Sequence, residues 1–254
     1  SFLDRGVADY VVLAHGQDDY SRTRVSKEAG ARGMQLAAKE GYWGLPFGDI
    51  QAVSHHTFFA SRHMHEHGTT PEQFGSIAVQ QRQWAQHNPN ARFYGRPITL
   101  EDYMNAPMAV DPYRILDMCV VSDGGVGFVM TTEERAKDHP HPIWVEGVGF
   151  GEAMAQLWWD KQNYTTLAVK TAKEQAFRQS GLTLEDIDCA QLYDCFTGEV
   201  MFQLEDYGWC GKGQGGAFAA GGRIGPGGEL PVNTSGGLLS AYHYADLGGF
   251  AEAV

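Results

Sequence analysis

The sequence predicts an α/β protein in which helices cover sheets. Three observations carry this: apolar strand-like runs alternate with helix-length segments in both halves, several helices have explicit start and stop signals, and 43% of the 254 residues are hydrophobic. That is enough for one large domain, or two halves with a proper core. Residues 1–6 look like a helix tail closing on Gly6, followed by an apolar strand over 10–14. Residues 17–24 are polar and loop-like, and 51–67 form a helix stopped by Gly68. Thr70-Pro71-Glu72-Gln73 opens the next helix. Threonine caps it, proline takes the first helical position with its fixed φ, and Gln73 returns the capping-box bond. This helix runs to about Gln86 and ends before Asn88-Pro89. Thr99-Leu-Glu-Asp102 opens a short one that closes ahead of Pro107, and 123–130 is an apolar strand entered through glycines.

Charge, histidine and proline over 137–142 mark a junction, dividing the chain into 1–138 and 139–254. The second half opens with a strand over 143–148 and a helix near 166–179 ending at Gly181. A capped turn at 183–186 leads into a strand over 189–192 and a helix over 197–207. The last residues, 248–254, look like a helix cut off after one turn, and flanking sequence is expected at both ends.

Composition excludes several functions. A formal net charge of −12 argues against a nucleic-acid binder, which needs a clustered basic surface. No apolar run approaches the ~20 residues that span a bilayer. The four cysteines show neither C-x-x-C spacing nor the density of a disulfide scaffold, so a cytoplasmic location is expected. His55, His56, His63, His65 and His67 resemble a metal cluster, and His63 and His67 are one helical turn apart. No third ligand or H-E-x-x-H pattern accompanies them, and no metal is expected. A nucleotide-binding G-x-x-x-x-G-K-[ST] loop is missing too.

The most informative run is 193–246. Residues 208–237 hold 12 of the 32 glycines and separate two groups of proton-moving side chains, Tyr193-Asp194-Cys195 and Tyr242-His243-Tyr244. Each residue also has a plainer reading. Tyr193 could be a strand-end aromatic in the core, Cys195 a small buried residue, Asp194 a cap for the following helix, and Asp246 a surface charge.

Asp186-Ile-Asp-Cys-Ala-Gln-Leu-Tyr-Asp-Cys-Phe196, Leu204-Glu-Asp-Tyr-Gly208 and Pro231-Val-Asn-Thr-Ser-Gly-Gly237 resemble the C-terminal half of thiolases. The nearest pattern is the sterol carrier protein x and lipid-transfer-protein branch. Gly68–Glu72, His87–Ala91, Ile98–Asp102 and Ser122–Gly125 follow in that branch's order. The resemblance implies a thiolase-like α-β-α-β-α sandwich of two similar halves with an inserted loop region. It also implies a homodimer, an acyl-CoA thioester substrate with no separate cofactor, and association with a small OB-fold acyl-CoA-binding protein. Asn233, Gly236, Gly237, Asp194 and Cys195 would line the substrate site. One of His55 or His56, with His56 the choice, would reach it from the insertion that passes over it in thiolases.

The chemistry motifs differ from the family's. Tyr193 stands where thiolases have Asn or His, and Tyr242-His243-Tyr244 replaces Gly-His-Pro. Retro-aldol cleavage of a β-hydroxyacyl thioester needs a base for the hydroxyl proton and donors for the enolate, but no cysteine nucleophile. A phenol, with an unperturbed pKa near ~10, suits that exchange if its site shifts it. Tyr193, His243, Tyr244 and Tyr242 are therefore the expected catalytic groups of an aldolase, plausible for a bulky steroid side-chain thioester. Two alternatives stay open: a degradative thiolase whose cysteine precedes Ser1, and a catalytically silent acyl-CoA-binding subunit.

Overall fold

The computed structural model describes residues 2–18, 20–21, 52–152, 163 and 165–243. Among them, four strands pair two by two and antiparallel. β1 (Tyr10–Gln17) runs against β4 (Gly124–Thr131) from Tyr10↔Thr131 to Gln17↔Gly124, and β2 (Met108–Val110) lies beside β3 (Tyr113–Arg114). The expected strands at 10–14 and 123–130 are thus present, the first extended by three residues.

The helices are α1 (Ala52–His67), α2 (Pro71–Ala85), α3 (Leu100–Asn105), α4 (Glu133–Ala136), α5 (Val169–Ser180), α6 (Thr197–Tyr207), α7 (Gly215–Ala220) and α8 (Gly237–Ser240). Their boundaries follow local chemistry. Pro71 opens α2, and the Thr70 N–H donates to Gln73 Oε1 at 3.1 Å. At α3 the capping box closes both ways: Asp102 N–H donates to Thr99 Oγ1 (3.1 Å) and Thr99 N–H to Asp102 Oδ2 (2.8 Å). Gly181 and Gly208 end α5 and α6 in the left-handed conformation, where a missing Cβ removes the steric penalty.

Two expected strands are absent. Residues 143–148 enter no ladder, because side chains of α5 take the backbone groups nearby. Val148 N–H donates to Gln179 Oε1 (2.7 Å), and Phe150 N–H donates to Gln175 Oε1 (3.2 Å). Gly147, Gly149 and Gly151 let this extended segment lie directly on the helix. A Cβ on Gly149 would come within 1.8 Å of the Ala172 carbonyl oxygen. Residues 189–192 form only a single bridge, Ala190↔Val232, before side chains replace the ladder.

The core sits between helices of both sequence halves. Phe74, Ile77 and Ala78 of α2 pack with Tyr103 and Tyr113, with Val200, Met201 and Leu204 of α6, and with Ile224 and Leu238. Every residue from Thr197 to Glu205 is buried, so α6 is the central helix rather than an amphipathic surface one. Two carboxylates in that buried run, Glu199 and Glu205, must therefore be paired.

Candidate active site

Tyr193 is held by its backbone. Asn233, in the left-handed region at φ 51, accepts from Leu192 N–H (2.6 Å) and donates to Leu192 O (2.8 Å). Gln203 of α6 does the same for the next residue, accepting from Tyr193 N–H (3.3 Å) and donating to its carbonyl (2.7 Å). Two side-chain amides thus continue the ladder that ended at Ala190. The Tyr193 side chain projects from this clamp with 40% of its surface exposed, so it is not a core aromatic.

Asp194 points the other way and is fully buried. Its carboxylate accepts from the first backbone N–H groups of α8, Leu238 at 2.7 Å and Leu239 at 3.3 Å, so it caps that distant turn and not the helix that follows it. Gly237 (φ 62) makes the approach possible, since a Cβ there would sit 2.1 Å from Asp194 Oδ2. Gly237→Ala is expected to cost about 2 kcal/mol or more, from left-handed strain plus displacement of the carboxylate, read as a lower urea midpoint. Asp194, Asn233, Gly236 and Gly237 are all buried. Their polar atoms and close contacts hold the turn that presents Tyr193.

The structure places Cys195 and His56 side by side. Cys195 Sγ lies 3.8 Å from His56 Nε2, and His56 Nδ1 lies 2.6 Å from Glu199 Oε1. The His56 ring stacks on Phe196 at 4.3 Å between centroids. Burial pushes the Tyr193 phenol well above its usual range, with neighbouring Cys195 adding to the shift. It pushes the Cys195 thiol up further, assisted by the charge of Glu199, so this thiol is not a ready nucleophile. Cys119, beside the same cluster, is raised to about 12, mainly by burial. Glu199 is not among the residues expected from sequence. Its signal there is a lone carboxylate in the apolar run after Phe196.

The second cluster is reached across one extended segment, 118–122. Met118 pairs with Phe196 and Val121 with His243. Cys119 N–H donates to Cys195 O (2.9 Å), and Ser122 N–H donates to His243 O (3.1 Å). Bridges three residues apart along an extended chain set the two clusters ~10 Å apart. Tyr242 is half-buried against the core, and Tyr244 and Asp246 lie outside the described residues. Beneath the site, Asp117 is buried and accepts from Thr197 Oγ1 (2.6 Å), Arg114 N–H (2.6 Å) and Tyr103 OH (2.8 Å). Burial nevertheless raises its carboxyl to about 6.

Of the other histidines in that segment, His63 is structural. His63 is fully buried, with Nδ1 2.6 Å from Thr69 Oγ1 and Nε2 3.0 Å from Glu205 Oε1. Among the described residues no group of three or more His, Cys, Asp or Glu side chains is arranged to hold a metal ion.

Residues 151–254 match the family model described as thiolase C-terminal domain-like. The steroid side-chain-cleaving aldolase of Thermomonospora curvata is 40% identical over 256 residues, covering 98% of this chain and 66% of that protein. The 17-hydroxy-3-oxo-4-pregnene-20-carboxyl-CoA lyase of Mycobacterium tuberculosis is 35% identical over 263 residues, again 98% and 66%. The chain belongs to the thiolase superfamily. Within it, the similarity lies with the sterol-carrier-like branch. The solved structure of an Ltp2-ChsH2(DUF35) aldolase superposes with a TM-score of 0.86 at 37% identity, over 99% of this chain and 65% of that one. The thiolase-like α/β fold expected from the motifs is therefore the fold of this protein. The chain spans about two thirds of the length of these relatives. No helix among the described residues is long and apolar enough to cross a membrane.

Proposed function

We propose that this thiolase-fold protein is an aldolase that cleaves the Cα–Cβ bond of a β-hydroxyacyl-CoA with a bulky steroid-like acyl chain. The observation that carries this reading is a half-exposed tyrosine in the position of the thiolase Asn or His, backed by a protonated thiol. The reaction balances on the substrate alone. The β-hydroxyl loses its proton and the Cα–Cβ bond breaks. Its electron pair becomes an enolate spread onto the thioester oxygen, and a carbonyl compound leaves. A proton returned to Cα gives the shortened acyl-CoA. No cofactor enters this balance.

Tyr193 sits at the hydroxyl proton. Because its surroundings disfavour the free phenolate, it must pass a proton on as it receives one. His243, Tyr244 and Tyr242, from the second cluster, hold the enolate oxygen and return the proton to Cα. The names of the two relatives support a steroid CoA thioester as substrate, and the DUF35 component of the similar aldolase supports a partner subunit of that type. A homodimer and a cytoplasmic location complete the proposal.

The test uses 17-hydroxy-3-oxo-4-pregnene-20-carboxyl-CoA as probe, with the protein alone and then with cell extract added. Mass spectrometry should find a ketosteroid and a shorter acyl-CoA without added free CoA. Strict dependence on free CoA would indicate thiolysis and overturn the aldolase reading, as would no cleavage under either condition.

A further inference from the structure

Along 190–193 the backbone bonds to alternate edges. Ala190 N–H donates to Pro231 O, and Ala190 O accepts from Asn233 N–H, both at 2.9 Å. Two residues on, Leu192 uses the same edge and exchanges bonds of 2.6 and 2.8 Å with the Asn233 side-chain amide. In an extended chain the N–H and C=O of the next residue point the opposite way. Tyr193 therefore turns its backbone away from the 231–233 segment and toward α6. There Gln203 receives it: Oε1 accepts from Tyr193 N–H at 3.3 Å, and Nε2 donates to Tyr193 O at 2.7 Å.

Gln203 is fully committed to this contact. Its Nε2 also donates to Glu199 O, one helical turn earlier, at 2.9 Å, and the residue is only 7% exposed. These bonds need one acceptor and two donors at the reach of a glutamine. An ionised glutamate has no donor, methionine has neither, and asparagine is one methylene shorter. The Tyr193 side chain is 40% exposed, so packing covers its ring only in part and the backbone grip has more to do.

We propose that Gln203 is a positioning residue, which sets the place of the Tyr193 phenol by gripping both backbone groups of that residue. The proposal rests on the aldolase reading for the reaction it serves. The phenol oxygen stands at the far end of the side chain, so a small rotation of the backbone is magnified there. A misplacement of about 1 Å can cost on the order of 10²-fold in rate. The ring itself remains for binding, so the loss falls on kcat rather than on KM. A second glutamine makes the same two-bond grip elsewhere. Gln175 of α5 accepts from Phe150 N–H at 3.2 Å and donates to Phe150 O at 3.0 Å. Phe150 belongs to neither cluster of the site, which makes Gln175 a matched control.

The experiment compares wild type with Gln203→Met, Gln203→Asn and Gln175→Met on the steroid-CoA probe, and adds Gln203→Met to Tyr193→Phe. Thermal melts check folding. Both Gln203 variants should lose about tenfold or more in kcat with KM within about twofold, while Gln175→Met turns over as wild type. In the Tyr193→Phe background, Gln203→Met should add less than about twofold, since there is no phenol left to misplace. Losses that multiply would mark Gln203 as merely structural and overturn the proposal, as would an equal loss in Gln175→Met. Wild-type rates in both Gln203 variants, with Tyr193→Phe impaired, overturn it and leave the aldolase reading standing. Two readouts need no turnover. Hydrogen exchange at the Tyr193 amide should be slow in wild type and about tenfold or more faster in the Gln203 variants. Fast exchange in wild type overturns the grip even if no variant folds. 3-Fluorotyrosine at position 193 should give one narrow 19F line in wild type and a broadened or shifted one in Gln203→Met. If wild type does not cleave the probe, the aldolase reading falls and these two readouts decide the positioning. The expected differences support it, and equal exchange with an identical 19F line in both proteins overturns it.

Discussion

Tyr193→Phe is expected to lower kcat for cleavage of the steroid-CoA probe by about 10³-fold, or about 4 kcal/mol, with KM within about twofold. The substitution removes one oxygen from a half-exposed ring and leaves the backbone clamp by Gln203 and Asn233 intact. Folding should therefore be unchanged, and circular dichroism with a thermal melt checks it. The loss would fall on kcat because the phenol exchanges its proton only while the bond is breaking, whereas the ring still contributes to binding. Wild-type-like turnover in this variant would remove the central residue from the mechanism.

The largest effect on stability is expected at His63. This imidazole and Glu205 are both fully buried in their side chains, and they tie α1 to α6. His63→Leu should cost about 3 kcal/mol, since a buried carboxylate loses a partner while keeping Lys212 and the Gly215 N–H. The pH dependence has a definite sign. Burial alone would raise the Glu205 pKa, but the His63 bond, the Gly215 N–H and the His63 charge carry it below the ordinary carboxylate value. A depressed folded-state pKa gives stability that is present above the unfolded pKa and is lost as pH falls through the folded one. Urea unfolding at pH 7 and pH 4 should show this loss in wild type and a smaller one in His63→Leu. An unchanged pH slope would assign the depression to Lys212 and the loop backbone instead.

Much of the fold is legible in the sequence because its signals are local. Caps such as Thr70-Pro71 and Thr99–Asp102 mark helix starts within four residues, and Gly181 and Gly208 end helices by backbone conformation alone. The segments 143–148 and 189–192 differ from the expected strands for a non-local reason. Their apolar alternation fits a ladder, yet Gln179 and Asn233 occupy backbone groups at their ends, and Gln175 and Gln203 those of the adjoining Phe150 and Tyr193, from 10 to 41 positions away in sequence. At the site, Cys195 and His56 can be named from the sequence, but their contact depends on α1 crossing α6. Glu199 is hidden in the sequence because a helical glutamate looks like a solvated charge until the whole of α6 is known to be buried. Asp194 misleads in the opposite sense: its cap is real, but it serves the Leu238 N–H, 44 residues further on.

The core shared by α2 and α6–α8 sets an order of events during synthesis. The apolar face of α2 leaves the ribosome roughly 110 residues before α6, and at ~5–20 residues per second it waits on the order of 6–20 s for its cover. Tyr103 and Tyr113 can cover part of that face sooner, but the part that meets Val200, Met201 and Leu204 stays wet throughout that interval, when a nascent chain is most open to chaperones and to neighbours on the same message. The buffer that suits the finished protein is thus a poor guide to its yield. Expression temperature and chaperone supply, which act on that delay, should govern how much active protein a cell makes.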